Sequence, residues 1–223
     1  MKIVISLGGS VIVPNKVDYK FLKKFKKVIE EIKNNKVVIV TGGGSIARKY
    51  IEALRKEKIN EKILCLIGIK TTKLNAMLVS NFLKANILIP GSINQIKKLL
   101  SKKNIVVTGA LGYHFKMTSD GTAAGIAKEI KADYFINITN VKGLYNKNPK
   151  KFKDAKFIPR ISFKDFNKIL NKIKFKAGQN FVLDQSAAKV ISKYKIKTII
   201  IKDIRNLIKI VNNKKFIGTV INS

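Results

Sequence analysis

One cysteine, Cys65, and one histidine, His114, are all that 223 residues hold of those two types. An intrachain disulfide framework is thereby excluded, and so is a Cys/His metal cluster. No Pro/Gly/Ser-rich linker divides the chain, which reads as a single domain over 1–223. No uninterrupted apolar run approaches the length of a bilayer span, and the opening MKIVISLGGS lacks the layout of a secretory signal. A cytoplasmic protein with no membrane partner is the expectation. Acidic residues are scarce, 13 against 46 lysines and arginines, for a formal charge of +33.

An excess of that size first suggests nucleic acid or a membrane surface. The kind of basic residue argues against it. Only Arg48, Arg55, Arg160 and Arg205 are arginine, and the lysines are spread through every segment beside many Asn and Ile, as an AT-rich coding sequence would produce. No basic stretch interleaved with aromatics stands out. The lysines read as solvated helix faces, and no specific nucleic-acid partner is expected, only nonspecific polyanion binding at low salt.

What is present is organised around KVVIVTGGGSIARKY, Lys36 to Tyr50. A β-branched run, Val37 to Val40, predicts a buried strand. It stops at three glycines, and Ser45 then opens a segment with helical spacing at Ile46, Tyr50, Ile51 and Leu54. Glycine lets backbone N–H groups approach a ligand closely, and a helix start adds unpaired donors, so phosphate is the natural guest. The pattern is neither a P-loop nor a dinucleotide fingerprint.

The rest of the chain alternates. Lys2 to Leu7 predicts a strand followed by Gly8, Gly9 and Ser10. Residues 18–32 place Phe21, Phe25, Val28 and Ile32 on one face of an amphipathic helix. Residues 58–85 read as mainly helical with Gly68 as an interruption, 87–90 as a short strand, 92–100 as a helix and 105–108 as a strand running into Gly109. Thr118, Ser119 and Asp120 offer caps for a helix over 121–130 whose small residues allow close packing. A strand over 134–138 ends at Thr139 and Asn140, and 141–148 reads as a hairpin or extended loop. Helices over 163–173, 184–194 and 204–211 and strands over 198–201 and 218–221 complete the series. Such alternation predicts an α/β fold with a mainly parallel sheet covered on both faces, its ligands beyond the carboxyl ends of the strands. The glycine and Thr/Asn clusters all fall at that edge.

Taken in order, SLGGSVIVP at Ser6 to Pro14, VTGGGSIARKYI at Val40 to Ile51, IGI with NAML between Ile67 and Leu78, TSD at Thr118 to Asp120, KADYFINITNVKGLYNKNPK at Lys131 to Lys150, and KAG, LD and AAK between Lys176 and Lys189 cover nearly the whole chain. The set resembles the amino acid kinase family, and within it the archaeal-type UMP kinases. The resemblance implies a three-layer αβα sandwich with a mainly parallel central sheet. It implies ATP and Mg²⁺ as cofactors, UMP as acceptor in pyrimidine nucleotide biosynthesis, and a homo-oligomer, a hexamer built as a trimer of dimers. By the same resemblance Gly9, Ser10, Gly44 and Arg48 hold ATP phosphates, and Thr139, Asn140, Tyr145 and Asn148 line the nucleoside end. Gly43, Cys65, Gly68, Gly112, Tyr113, His114, Thr118 and Ser119 line the UMP site. The acceptor site then falls mainly in the N-terminal half and the ATP nucleoside site mainly in the C-terminal half.

A phosphate monoester is already an anionic nucleophile, so this reaction needs no side-chain base. Alignment and charge stabilisation by N–H donors, cations and Mg²⁺ suffice, with Arg48 the side chain expected to bear on the phosphoryl group. Asp184 either orients cations there, as the family implies, or caps a helix. The sequence also departs from the family pattern. Ser6 stands where many members have lysine, Cys65 where the branch has a ribose-binding aspartate, and Lys142 and Asn148 where it has aspartates; the loop GALGYHFKM aligns as two residues longer. Cys65 by itself reads as a buried small apolar residue and Asp133 as a turn or cap; His114 reads as an exposed polar group or a contact to a substrate phosphate, and Tyr113 and Phe115 as loop anchors or a stack for a base. These departures motivate a kinase of this fold with another phosphate or carboxylate acceptor, or a noncatalytic nucleotide or oxyanion binder.

Overall fold

The computed structural model describes residues 1–112, 118–147, 149, 152–172 and 183–222. In chain order its first half comprises β1 (Lys2–Leu7), α1 (Gly9–Ile12), α2 (Tyr19–Glu31), β2 (Lys36–Thr41), α3 (Gly44–Lys56), α4 (Glu61–Leu83), α5 (Ile93–Lys102) and β3 (Ile105–Thr108). There follow α6 (Ser119–Glu129), β4 (Tyr134–Ile138), β5 (Leu144–Tyr145), β6 (Phe157–Ile158), β7 (Arg160–Ser162), α7 (Phe163–Lys172), α8 (Gln185–Tyr194), β8 (Thr198–Ile201), α9 (Asn206–Val211) and β9 (Thr219–Asn222). Seven strands form one sheet in the order β3-β2-β1-β4-β8-β9-β7, parallel except between β8 and β9, while β5 and β6 form a separate hairpin.

Alternation along the strands divides two cores. Ile3, Ile5, Val37, Ile39, Ile136 and Ile199 face Leu22, Phe25 and Val28 of α2, Ala76 and Val79 of α4 and Leu207 of α9. Val4, Val38, Val40, Phe135 and Ile200 face Ile96 of α5, Ala123, Ala124 and Ala127 of α6, Phe166 of α7 and Ala187, Ala188 and Ile191 of α8. Period-2 strands with both faces apolar require helices on both sides. The result is the αβα sandwich. Side chains cap the helices locally: Asp18 accepts from the Phe21 amide, Asn60 from Ile63, Ser92 from Gln95 and Thr118 from Gly121. Asp133 accepts from the Lys2 amide at 2.7 Å, fixing the entry to β1.

Two expectations fail for local reasons. Gly68 does not interrupt a helix, since α4 runs unbroken across it. A Cβ there would meet only Ile51 Cδ1, at 3.7 Å. Residues 87–90 form no strand. The outer edge of β3 is occupied instead by the Asn86 side chain, which accepts from the Val107 amide at 2.7 Å and donates to the Val107 carbonyl at 2.9 Å. One buried amide thus supplies both bonds of a ladder partner, leaving Ile87 and Leu88 exposed.

α4 is also the one helix among the described residues long and apolar enough overall to span a membrane, although Lys70 and Lys73 interrupt its apolar run. Its Ala76 and Val79 lie in the sheet core and its Asn75 is bonded to the β2–α3 turn, the placement of a core helix.

Candidate active site

β1, β2 and β4 end side by side, and the turns after β1 and β2 close on each other where side chains are missing. A Cβ built on Gly9 would lie 2.2 Å from the Gly44 nitrogen and 2.6 Å from the Gly42 oxygen; one on Gly44 would lie 2.4 Å from the Gly9 oxygen. Gly44 has φ +66°, a left-handed value unfavourable for any residue with a Cβ. Backbone therefore crosses backbone at the start of α3, a place suited to a phosphate group. The Gly8 amide, donating to the Ile138 carbonyl at 3.2 Å, ties the crossing to the end of β4, next to Thr139.

The middle of α4 holds these loops from behind. Buried Asn75 donates from Nδ2 to the carbonyl oxygens of Gly42 at 2.7 Å and Gly43 at 3.3 Å. Thr41 Oγ1 donates to the Thr72 carbonyl at 2.8 Å, and Thr72 Oγ1 accepts from the Ala110 amide at 2.9 Å. Gly109 fits only because it lacks a Cβ, which would lie 2.7 Å from the Lys73 nitrogen. One helix thus fixes the turns after both β2 and β3.

Beside the crossing lies a group that sequence reasoning missed. Asp120, half-buried in the first turn of α6, accepts from Ser6 Oγ at 2.5 Å. Burial, and then the charge of Asp184, push its carboxyl up to about 7, against the Ser6 hydrogen bond that favours ionisation. Asp184 caps α8, accepting from the Ser186 and Ala187 amides at 2.6 and 3.0 Å, while its other oxygen accepts from Thr118 Oγ1. Asp184 is therefore the helix cap, and its charge also bears on Asp120. The sequence marked Asp120 only as a capping candidate, and the cap is Thr118. The available signal was Ser6, small and polar at the end of a buried strand.

Most other predicted residues line the same edge. A Cβ on Gly42 would approach Ser119 Oγ to 3.4 Å, and one on Gly43 would approach the Gly68 oxygen to 3.6 Å, so Gly9, Gly43, Gly44, Gly68 and Ser119 converge. Ser10 is half-buried in α1, and Gly112 is open, with nothing near a built Cβ. Arg48 is exposed one turn into α3, without an ion-pair partner among the described residues. Cys65 is half-buried rather than buried; burial and then Glu61 push its thiol up, so it stays protonated. Its turn of α4 is only partly covered. The Thr139 amide donates to the Ile201 carbonyl at 3.0 Å, Asn140 is exposed, and the Tyr145 ring packs on Phe157 with centroids 5.5 Å apart. Tyr113, His114 and Asn148 lie outside the described residues.

A sandwich with paired glycine turns at the carboxyl edge of its sheet is the architecture that the resemblance implied, and the model of the amino acid kinase family matches residues 1–202. The chain belongs to that family. Within it, the chain is similar to the uridylate kinases of Thermoplasma volcanium, 37% identical with 98% of this chain and 96% of the relative covered, and Archaeoglobus fulgidus, 39% identical with 99% and 100% covered. The crystal structure of the Archaeoglobus fulgidus uridylate kinase superposes with a TM-score of 0.87 at 38% identity, covering 99% of this chain and all of that one. The UMP kinase of Ureaplasma parvum, at 22% identity and TM-score 0.80, shares the fold.

Proposed function

We propose that this protein is a UMP kinase, transferring the γ-phosphoryl group of ATP to UMP to give UDP and ADP. The observation that carries the reading is the Gly9–Gly44 crossing with Ser119 and Asp120 beside it, on a chain that matches uridylate kinases over its full length. In this reading Gly9, Ser10, Gly44 and Arg48 meet the ATP phosphates, and Thr139, Asn140 and Tyr145 its nucleoside. Gly43, Gly68, Gly112, Thr118 and Ser119 meet UMP. The chain works as one domain, acceptor side mainly N-terminal, in the cytoplasm. The two phosphorylated substrates approach from either side of the crossing, and fixed backbone amides orient the transferred group without a base.

Asp120 and Asp184 suit Mg²⁺: a hard cation that keeps several waters and takes phosphate oxygens needs only one or two carboxylates from the protein. No group of three or more acidic, His or Cys ligands exists among the described residues. Bound there, the ion supplies positive charge for the moving phosphoryl group. Ser6 holds the Asp120 carboxylate in place.

We also infer that copies of the chain assemble through α4. Ile63, Ile67, Leu74 and Met77 follow a 4–3 spacing with Lys70 between them, and Ile63, Leu74 and Met77 remain 41%, 56% and 51% exposed. Such a stripe is the seam of a helix pair. In an antiparallel pair centred on the turn of Lys70, Ile63 comes near Met77 and Ile67 near Leu74. A dimer of this kind is the unit from which the hexamer is built.

The deciding measurement is ADP release from Mg-ATP with UMP, CMP, AMP, isopentenyl phosphate and acetylglutamate as acceptors. Stimulation by UMP is expected. Turnover with another acceptor alone would favour a second reading, for which the protonated thiol of Cys65 speaks, since a thiol is a weak partner for ribose hydroxyls. Silence with all would leave a nucleotide binder.

A further inference from the structure

Against the loop that carries Thr139 and Tyr145 is a cleft of about 690 Å³ whose lining includes none of the residues assigned above to ATP or UMP. Its wall includes Lys142 from that loop and Lys202, Arg205 and Lys209 from the segment after β8 and from α9. Basic residues are 46 of 223, about one in five, whereas four of this cleft's seven lining residues are basic. General lysine richness accounts for one or two. The one acid in the wall, Asp203, is already taken: Arg205 Nε donates to it at 2.9 Å and Nη2 at 2.6 Å. That hydrogen-bonded guanidinium holds the Asp203 carboxyl below its ordinary range, so it stays ionised, its charge directed first at Arg205 and in smaller part at Lys209. Lys142, Lys202 and Lys209 have no hydrogen-bonded anion among the described residues. The cleft therefore carries about three uncompensated positive charges.

The cleft is also held in shape. A Cβ on Gly143 would collide with Thr219, and the Leu144 amide donates to Thr219 Oγ1 at 2.8 Å, which fixes the loop next to Lys142. Buried Asn206 donates to the Ile217 carbonyl at 3.0 Å and accepts from the Ile217 amide at 3.4 Å, so the apolar Ile217 side chain, 63% exposed, is presented as a fixed shelf beside the lysines.

We propose that this cleft is a second anion site, distinct from both substrate sites, that takes a polyphosphate chain, either free or carried by a nucleotide whose base rests on Ile217. Three lysine ammoniums offer one cation to each phosphate of a three-phosphate chain, and charge-assisted hydrogen bonds of this kind are the strong ones. The site is independent of the acceptor's identity.

The test is calorimetric titration of inorganic tripolyphosphate at about 0.15 M salt, where diffuse surface attraction is screened, with both substrate sites filled by one equivalent per chain of a bisubstrate analogue, adenosine and uridine joined through a phosphate chain. One saturable site per chain is expected. The double variant Lys202→Glu with Lys209→Glu should weaken it by about tenfold or more, each lost bond to a charged group being worth roughly a tenfold factor. The equally charged variant Lys23→Glu with Lys27→Glu, on the exposed face of α2, should leave it unchanged. Unaltered thermal unfolding of both variants shows that each folds. CTP binding more tightly than tripolyphosphate, with the gain lost in Ile217→Ser, assigns the shelf to a base; equal affinities assign the cleft to the polyphosphate alone. Equal weakening in the two charge variants, or no saturable binding, overturns the proposal.

Discussion

The buried side-chain amide of Asn75 donates to the Gly42 carbonyl oxygen at 2.7 Å and, from the same nitrogen, to Gly43 at 3.3 Å. This fixes a turn whose own residues have no side chains to fix it. Asn75→Ala should cost roughly 1–3 kcal/mol, because it leaves buried carbonyls unpaired. The glycine amides also lose their aim, so kcat/KM should fall by about tenfold or more, more than stability alone explains. Asn75→Asp, nearly isosteric, should be no better, since an ionised carboxylate repels both carbonyls. Steady-state kinetics with thermal unfolding separates the effects. Full activity in Asn75→Ala would mean that the Gly9–Gly44 crossing holds the turn unaided.

Gly44→Ala tests the crossing itself. The added Cβ meets Gly9 backbone atoms at 2.4 and 2.6 Å, and φ is positive, so neither rotation nor a flexible neighbour relieves the clash. A destabilisation of about 2 kcal/mol or more and loss of turnover are expected. Gly68→Ala is the internal control. Its Cβ has room and its helix tolerates alanine better than glycine, so stability should hold or rise by up to about 1 kcal/mol. Denaturant midpoints for the two variants give the comparison.

Much of this arrangement was legible in the sequence, and the boundary has a physical origin. β1, β2, β4 and β8 are β-branched runs buried on both faces, which local pattern identifies, and the glycine clusters end those runs where the sheet's edge must be. Gly68 misled because a glycine's helix cost is small beside the packing of a long helix. Residues 87–90 misled because their strand-like composition says nothing of Asn86, whose side chain takes the β3 edge first. The Ser6–Asp120 pair joins residues 114 apart, and local reasoning saw in Asp120 only a helix start. Motif order pointed to the carboxyl edge where these residues meet, but the electrostatics there became visible only in the fold.

The apolar stripe of α4 predicts an assembly that charge can break. Leu74→Lys with Met77→Lys places two more ammonium groups on each side of a seam that already carries Lys70. The exposed positions leave the monomer's core untouched, so unfolding temperature should change little while the mass in solution falls. Light scattering after size exclusion reads the result. An unchanged oligomer would move the interface to another face.

Asp120 links stability to catalysis with opposite signs. Its carboxyl is raised from an ordinary 3.8 to about 7 in the folded protein, by burial and by Asp184. Between those values the folded chain keeps a proton that the unfolded chain has released. Stability without ligand should therefore fall as pH rises from about 4 to about 7 and level off above, where both states are ionised. Asp120→Asn cannot ionise, so the contribution of this site to that slope should vanish, and at pH 8 the variant should be the more stable by up to roughly 4 kcal/mol, about three pKa units at ~1.4 kcal/mol each, and should melt higher. It should also be nearly inactive, because the amide no longer offers a full negative charge to a divalent cation. Thermal unfolding at pH 5 and pH 8, with and without Mg-ATP, checks both halves. Mg-ATP should raise the Tm of the wild type more than that of the variant, since a cation held by Asp120 and Asp184 would offset the repulsion between them. Equal ligand shifts in the two proteins would separate Asp120 from the metal and leave it a half-buried acid with a structural role.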